Sequence, residues 1–132
     1  MSEATRITRT VETDLDTDQL WQRVADGEAW TSWMVDESEV AVTPGGGGTV
    51  VDEGVEREVR VDRLGDRELT FTWWPRDRPE QASTVELVVM PAVGGSRLLV
   101  TETYLSASTL AAPAAWDVRL MLLLARALAV PV

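Results

Sequence analysis

The stretch PAAWDVRLMLLLARALAVPV, residues 113–132, decides the fold. Residues 113–129 predict a helix that is apolar almost all round, because only Arg119 and Arg126 form a polar stripe at about 100° per residue. Such a helix offers little surface to water, so the rest of the chain must wrap it. Most of the remaining sequence is typical of short strands. We therefore expect a curved sheet around this helix, with an apolar pocket between the two.

The sequence before this helix predicts strands joined by polar turns. Residues 6–14 alternate polar and apolar side chains, as in an opening strand, and Asp16 or Thr17 then caps a short helix over residues 17–26. Residues 28–34 predict a second short helical turn. Six antiparallel strands follow, over residues 39–43, 49–53, 55–64, 68–74, 83–90 and 97–104. Residues 45–48 are interpreted as a flexible hairpin loop and residues 105–112 as a linker to the long helix. The order predicts one α+β domain over residues 1–132.

Composition excludes several kinds of chemistry. The 132 residues contain no Cys, His or Lys, so disulfides, thiol catalysis, imidazole bases and Schiff bases are absent. The net charge of −10 opposes binding to nucleic acid and to anionic lipid. No apolar run follows a basic start, and the run in the last helix is too short to span a bilayer. We expect a cytoplasmic protein without membrane insertion.

Two sequence features superficially suggest ligand motifs. The run of four glycines at residues 45–48 lacks the Lys and Ser/Thr of a phosphate-binding loop, and no helix follows it. The acids Asp36, Glu37 and Glu39 do not have the spacing of a calcium-binding loop. We therefore expect no cofactor and no metal.

The order of elements resembles the helix-grip proteins of the START-like superfamily, also called SRPBCC. The similar branch is the family of the heat-shock ATPase activator's C-terminal domain, with its small bacterial members. The matching stretches are RITRTVETD, LWQRVADGEAWTSWM, RELTFTWWP, SRLLVTETY and WDVRL. The resemblance implies about seven antiparallel strands around a C-terminal helix, with two short helices after the first strand. Members of the superfamily bind lipids, sterols, polyketides, hormones or partner proteins, and some are cyclases or hydrolases, so the resemblance does not select one function.

Aromatic side chains are the main candidates for a ligand site. Trp73 shares a strand face with Phe71, and the resemblance turns that face toward Trp116 in the last helix. Trp30 and Trp33 lie at the opposite lip in such folds. Aromatic rings suit flat hydrophobic ligands, although each Trp alone is more often a core residue. The candidate ligand-binding set is Trp30, Trp33, Phe71, Trp73, Glu102, Tyr104, Trp116, Leu120, Met121 and Leu124.

Glu102 is the candidate with two interpretations. It shares strand parity with Leu98, Val100 and Tyr104, so an inward face would bury its carboxylate. An isolated buried carboxylate is costly, so it must be neutralised or paired. Glu102 is then either a functional group in a cleft or a structural acceptor, bonded to Tyr104, Thr72 or a Trp indole.

Other charged residues have simpler interpretations. Asp117 lies in the first turn of the last helix, where a carboxylate interacts favourably with the helix dipole. Four arginines alternate with acids along the strands and are expected to form cross-strand ion pairs: Arg57, Arg60, Arg63 and Arg67.

Three functions remain open from the sequence. The first is non-catalytic binding of a small hydrophobic molecule of aromatic, polyketide-like or lipid-like character. The second is a protein-interaction module similar to the heat-shock ATPase activator domain, with exposed apolar residues such as Trp74 or Trp21 and a possible homodimer. The third is a cyclase- or hydrolase-type enzyme that uses Glu102, which the absence of His, Cys and Lys disfavours.

Overall fold

A single antiparallel sheet organises the structure. The computed structural model describes residues 5–105 and 113–128. The strands are β1 (Thr5–Thr13), β2 (Glu37–Val40), β3 (Gly47–Asp52), β4 (Val55–Gly65), β5 (Glu68–Pro75), β6 (Ser83–Ala92) and β7 (Gly95–Tyr104). They lie in the order β1-β7-β6-β5-β4-β3-β2, and every neighbouring pair is antiparallel. The two helices are α1 (Thr17–Ala25) and α2 (Pro113–Leu128), with short 3₁₀ helices at Glu28–Ser32 and Pro79–Gln81. The predicted α+β helix-grip arrangement is confirmed. Residues 106–112 of the linker predicted over residues 105–112, and the last predicted helical residue, 129, lie outside the described residues.

Helix α1 begins where the sequence predicts. Asp16 is its N-cap and accepts a hydrogen bond from the backbone N–H of Gln19 at 2.8 Å, while the Gln19 side chain accepts from the Asp16 N–H at 3.1 Å. This reciprocal capping box satisfies N–H groups that the helix itself cannot. Leu20 and Val24 are one turn apart and both fully buried. The helix therefore packs one apolar stripe against the sheet, next to β6 and β7.

The glycine run differs from its predicted role as a flexible loop. Gly47 and Gly48 are strand residues of β3 that pair with β4 and β2. A Cβ at Gly47 would collide with the carbonyl oxygen of Val59, and one at Gly48 with that of Glu39. Within residues 45–48, only Gly45, with a φ of +75°, has the turn conformation that favours glycine. These glycines therefore permit close strand approach, which hydropathy patterns do not reveal.

The core lies between the sheet and α2. Alternate residues of the central strands supply it, since side chains on a strand point to opposite faces. Phe71, Val85 and Leu98 come from three neighbouring strands and are completely buried. Trp116 and Leu123 of α2 belong to the same buried cluster and are also completely buried.

Helix α2 is wrapped less completely than its sequence predicts. Arg119 was expected on a polar stripe facing water, but it is buried with 8% of its surface exposed. Val118, Met121 and Leu122 are instead exposed by 56%, 68% and 41%. The sheet covers only one side of the helix, and an ion pair compensates the buried Arg119 charge. The structure describes the backbone of Arg126 but not its side chain. No helix in the described part of the chain is long and apolar enough to cross a membrane.

Candidate functional site

The Glu102 carboxylate is the centre of a buried polar cluster on the inner face of the sheet. Only 3% of the residue is exposed. Oε1 accepts hydrogen bonds from Trp116 Nε1 at 2.6 Å and from the Tyr104 hydroxyl at 3.2 Å. Oε2 accepts from Trp73 Nε1 at 3.0 Å and from the Ser83 hydroxyl at 2.5 Å. Each carboxylate oxygen thus has two donors, which satisfies a buried group that would otherwise be costly.

Strand register brings these donors together. Trp73 on β5 pairs with Ser83 on β6, and Ser83 pairs with Tyr104 on β7. Trp116 reaches the same point from the first turn of α2. Thr72, one of the partners expected for Glu102, lies on the other face and bonds to Asp62 and Thr84 instead. The structure therefore supports the interpretation of Glu102 as a structural acceptor and corrects one of its expected partners.

Trp30 and Trp33 hold the end of α1. The Trp30 indole N–H donates to the carbonyl of Val24 at 2.8 Å, and that of Trp33 donates to the carbonyl of Arg23 at 3.1 Å. The last carbonyls of a helix have no partners within it, so these bonds satisfy them. The Trp30 ring also packs against Phe71, with ring centroids 5.0 Å apart. Trp30 thus fills the core, whereas Trp33 also reaches the wall of a cleft.

Arg119 and Asp52 form a mostly buried ion pair between α2 and the end of β3. Arg119 Nη2 lies 2.5 Å from Asp52 Oδ2, and the two side chains are 10% and 12% exposed. Arg119 Nε also donates to the carbonyl oxygen of Met34 at 3.2 Å. The guanidinium lies 4.7 Å from the ring centroid of Trp116 and 5.3 Å from that of Trp73. Sequence reasoning missed this pair, since its members are far apart in the chain and no local pattern connects them.

A cleft of about 590 Å³ opens beside this ion pair, between α2 and the segment that leads into β2. We call it the helix cleft. Its apolar lining is Trp33, Met34, Val35, Ala115, Val118 and Leu122, and its polar lining is Thr31, Ser32, Asp36, Asp52, Glu53 and Arg119. Trp33 belongs to the predicted ligand-binding set and lines this cleft; the other members of that set do not line it.

A second cleft, of about 600 Å³, lies at the β3–β4 turn. We call it the turn cleft. The β3–β4 turn forms one wall and the segment after β5 forms the other; the lining residues are Gly54, Val55, Glu56, Arg57, Pro75, Arg76, Asp77, Arg78 and Gln81. The hydrogen bond that Arg76 donates to Glu56, together with the charges of Glu56 and Glu58, raises the pKa of the Arg76 guanidinium above its ordinary value.

The predicted arginine ion pairs form only in part. Arg63 lies 3.7 Å from Glu68 across β4 and β5, while Arg60 pairs with Asp62 of its own strand. Arg67 contacts Asp18 of α1. Arg57 forms no ion pair within the described residues; it lies over the Trp73 ring. Asp117, expected to interact with the helix dipole, is exposed and pairs with Arg9 of β1 at 2.9 Å.

The structure separates the predicted ligand-binding residues into two groups. Most are buried between sheet and helix: Trp30, Trp33, Phe71, Trp73, Glu102, Tyr104, Trp116 and Leu120. Met121 is corrected, because it faces away from the sheet and is largely exposed. Leu124 is half-buried. Among residues 5–105 and 113–128, no cluster of acidic side chains is arranged to hold a metal ion.

Comparison with protein-family models and with curated proteins finds no match for this sequence. Solved structures do resemble it. CalU16 from Micromonospora echinospora superposes with a TM-score of 0.71 at 19% identity, covering 96% of this chain and 85% of that one. The Aha1 dimer from Colwellia psychrerythraea gives a TM-score of 0.74 at 10% identity, covering 91% and 93%. DynU16, described as a putative protein in the dynemicin biosynthetic locus, gives 0.70 at 18% identity, covering 93% of this chain and 46% of that one. The chain therefore has the START-like helix-grip fold.

Proposed function

We propose that this protein binds a small hydrophobic molecule of aromatic, polyketide-like or lipid-like character in the helix cleft. The observation that carries the proposal is the cleft itself, about 590 Å³ in volume and walled by α2. This volume lies within the range of about 300–1,000 Å³ that is usual for small-molecule sites. The likeness to DynU16, from a biosynthetic locus, supports a role toward a small molecule.

The lining combines six apolar and six polar residues, so it suits a ligand with an apolar body that also carries polar groups. Val118 and Leu122 lie one helical turn apart on α2 and present apolar surface that water now covers. The Arg119–Asp52 pair lies against the same space and offers both a donor and an acceptor. Polar groups fixed beside apolar surface set the orientation of a bound ligand. We propose no reaction at Glu102, since each of its oxygens already accepts two hydrogen bonds.

The test is a titration with Nile red, a neutral dye whose fluorescence rises in apolar surroundings. The wild type is expected to bind it saturably. Val118→Asp and Leu122→Glu place a charge in the cleft wall, so each should weaken binding by about tenfold or more. Met121→Glu is the matched control, because Met121 lies on the same helix but does not line the cleft. All three residues are exposed, so the fold should tolerate these changes.

Equal dye binding by Met121→Glu and Val118→Asp would contradict the proposed site, since the signal would then come from general apolar surface. Absence of saturable binding by the wild type, with Nile red and with a panel of other neutral hydrophobic compounds, would contradict the proposed function.

A second candidate function is self-association through α2. The exposed side chains of Val118, Met121 and Leu122 are neighbours on one helical face, at positions i, i+3 and i+4. A contiguous apolar patch of this kind commonly marks an interaction surface. The structural likeness to an Aha1 that is described as a dimer favours a second copy of the chain as the partner.

A further inference from the structure

We propose that the turn cleft is a second binding site, for the carboxylate of a small amphiphilic acid, and that Arg57 is the residue that binds the carboxylate. The site is separate from the helix cleft, since the two share no lining residue. The proposal therefore stands or falls independently of the proposed function.

Arg57 lies on the inner face of the sheet. It pairs with Pro75 across β4 and β5, and Val59, two residues later, pairs with Trp73. Because alternate residues share a face, Arg57 belongs to the same face as Val59 and Trp73, which are buried. Its guanidinium carbon lies 5.0 Å from the centroid of the Trp73 ring. A charged side chain is unexpected on the inner, otherwise apolar face of this strand end. The contact with Trp73 explains where the Arg57 side chain lies, but not why an arginine is present there.

The hydrogen-bonding capacity of Arg57 is unused. Its Nε is buried and has no hydrogen-bond partner, and no acidic side chain forms an ion pair with the guanidinium within the described residues. The residue lines the turn cleft, so a molecule in the cleft would contact it. A buried N–H without an acceptor is costly, and an anion seated deeply enough in the cleft to reach Nε would remove that cost. A guanidinium held flat against a ring presents its edge to a carboxylate, which it binds through two parallel hydrogen bonds.

The neighbouring charges favour Arg57 as the anchor. Arg76 is engaged by Glu56 at 3.0 Å and by Glu58 at 3.5 Å, so its charge is already compensated. Arg78 and Asp77 also line the cleft and oppose each other in charge. Arg57 is thus the lining cation that has neither an ion pair nor full exposure to water.

The same surroundings favour a carboxylic acid over phosphate. Glu56 and Asp77 line the cleft, and the chain as a whole carries −10, so a dianion is repelled more strongly than a monoanion. Val55, which is 40% exposed, and Pro75 supply apolar surface beside the arginine. A small aromatic or aliphatic acid could place its carboxylate on Arg57 and its apolar body on these two residues.

The experiment measures binding of para-fluorobenzoate by fluorine NMR, with para-fluorobenzamide as the uncharged analogue. The wild type should bind the acid saturably and the amide at least about tenfold more weakly. Arg57→Met retains the stem over Trp73 but removes the charge and the donors, and it should weaken binding of the acid by about tenfold or more. Arg63→Met is the matched control. It removes the same charge from the same strand. Arg63 is exposed and lies 3.7 Å from Glu68, so its replacement should leave binding of the acid unchanged.

Arg57→Lys keeps the charge without the two-pronged geometry and should bind the acid several-fold more weakly than the wild type. This variant carries the test if Arg57→Met does not fold. Nile red binding should be the same in all folded variants. The proposal is overturned if Arg57→Met binds the acid normally, or if Arg63→Met loses as much affinity. Equal binding of the amide, or displacement of the acid by inorganic phosphate at equal concentration, would overturn the carboxylate assignment.

Discussion

A single residue, Glu102, shows how a buried charge becomes compatible with an apolar core. Strand parity groups it with Leu98, Val100 and Tyr104, and in the structure that face is buried. Parity does not identify its donors, because Trp73, Ser83 and Trp116 arrive from two strands and a helix that only the tertiary fold brings together. The same parity places Arg57 with Val59 and Val61, so its inward position could also have been predicted. Because Arg57 stands between Glu56 and Glu58 in the sequence, it is instead interpreted as part of a row of cross-strand ion pairs.

We expect Glu102→Gln to reduce the free energy of unfolding by about 1 kcal/mol, because the amide can adopt one tolerable orientation. With its oxygen toward Trp116 and Tyr104, the amide nitrogen faces Ser83 Oγ, which can accept a hydrogen bond, and the Trp73 N–H, which keeps Ser83 Oγ as its other acceptor at 3.0 Å. The reverse orientation would set the amide nitrogen against the Trp116 N–H, which cannot accept. Urea denaturation measures the change. The control is Glu86→Gln on β6, an exposed carboxylate for which little change is expected.

Repeating the Glu102→Gln change in a Ser83→Ala variant tests whether Ser83 is the acceptor. The amide nitrogen then loses its acceptor, so Glu102→Gln should cost at least about 1 kcal/mol more in Ser83→Ala than in the wild type. Equal costs in the two backgrounds would show that Ser83 does not act as the acceptor.

Among the elements, α2 departs most from what its sequence predicts. Hydropathy predicts where the helix lies in the chain but not which side faces the sheet, because a nearly uniform apolar surface has only a weak preferred face. The orientation is instead consistent with two polar contacts, Trp116 with Glu102 and Arg119 with Asp52. The strands are better predicted, since their alternation is strong. Their errors fall at turns and at Gly47 and Gly48, where backbone approach rather than hydropathy decides.

We expect Asp52→Asn to lower the free energy of unfolding by about 3 kcal/mol, because it leaves the mostly buried Arg119 charge without a counter-charge. Asp117→Asn is the matched control, since it also removes the acid of an ion pair that connects α2 to the sheet. Its pair with Arg9 is 37% and 56% exposed, so losing it should cost about 0.5 kcal/mol or less. Chemical denaturation of both variants measures the difference. Similar losses in the two would show that burial does not distinguish these ion pairs.

At the scale of the whole molecule, the sheet covers one side of α2 and leaves the other open. The fold class could be predicted from the sequence, since it depends on the order of elements and on one apolar helix. The clefts could not, because each is the space left between segments that are distant in the chain. An acidic chain with one exposed apolar patch has two opposing tendencies: the patch favours a second copy and the charge of −10 opposes it.

Salt should decide between these two tendencies. The Debye length falls from about 30 Å at 0.01 M to about 3 Å at 1 M, so added NaCl screens the repulsion between two acidic copies. Contacts between apolar side chains are not weakened in this way. We therefore expect sedimentation equilibrium to show a dimer fraction that rises from low salt to about 0.5 M NaCl. Met121→Glu should abolish the dimer, because Met121 is 68% exposed within the patch. Val93→Glu adds the same charge at the exposed β6–β7 turn, away from α2, and should affect association only through net charge. A monomer at every salt concentration, or equal weakening by the two variants, would exclude α2 as a self-association surface and leave its exposed side chains to the small-molecule site.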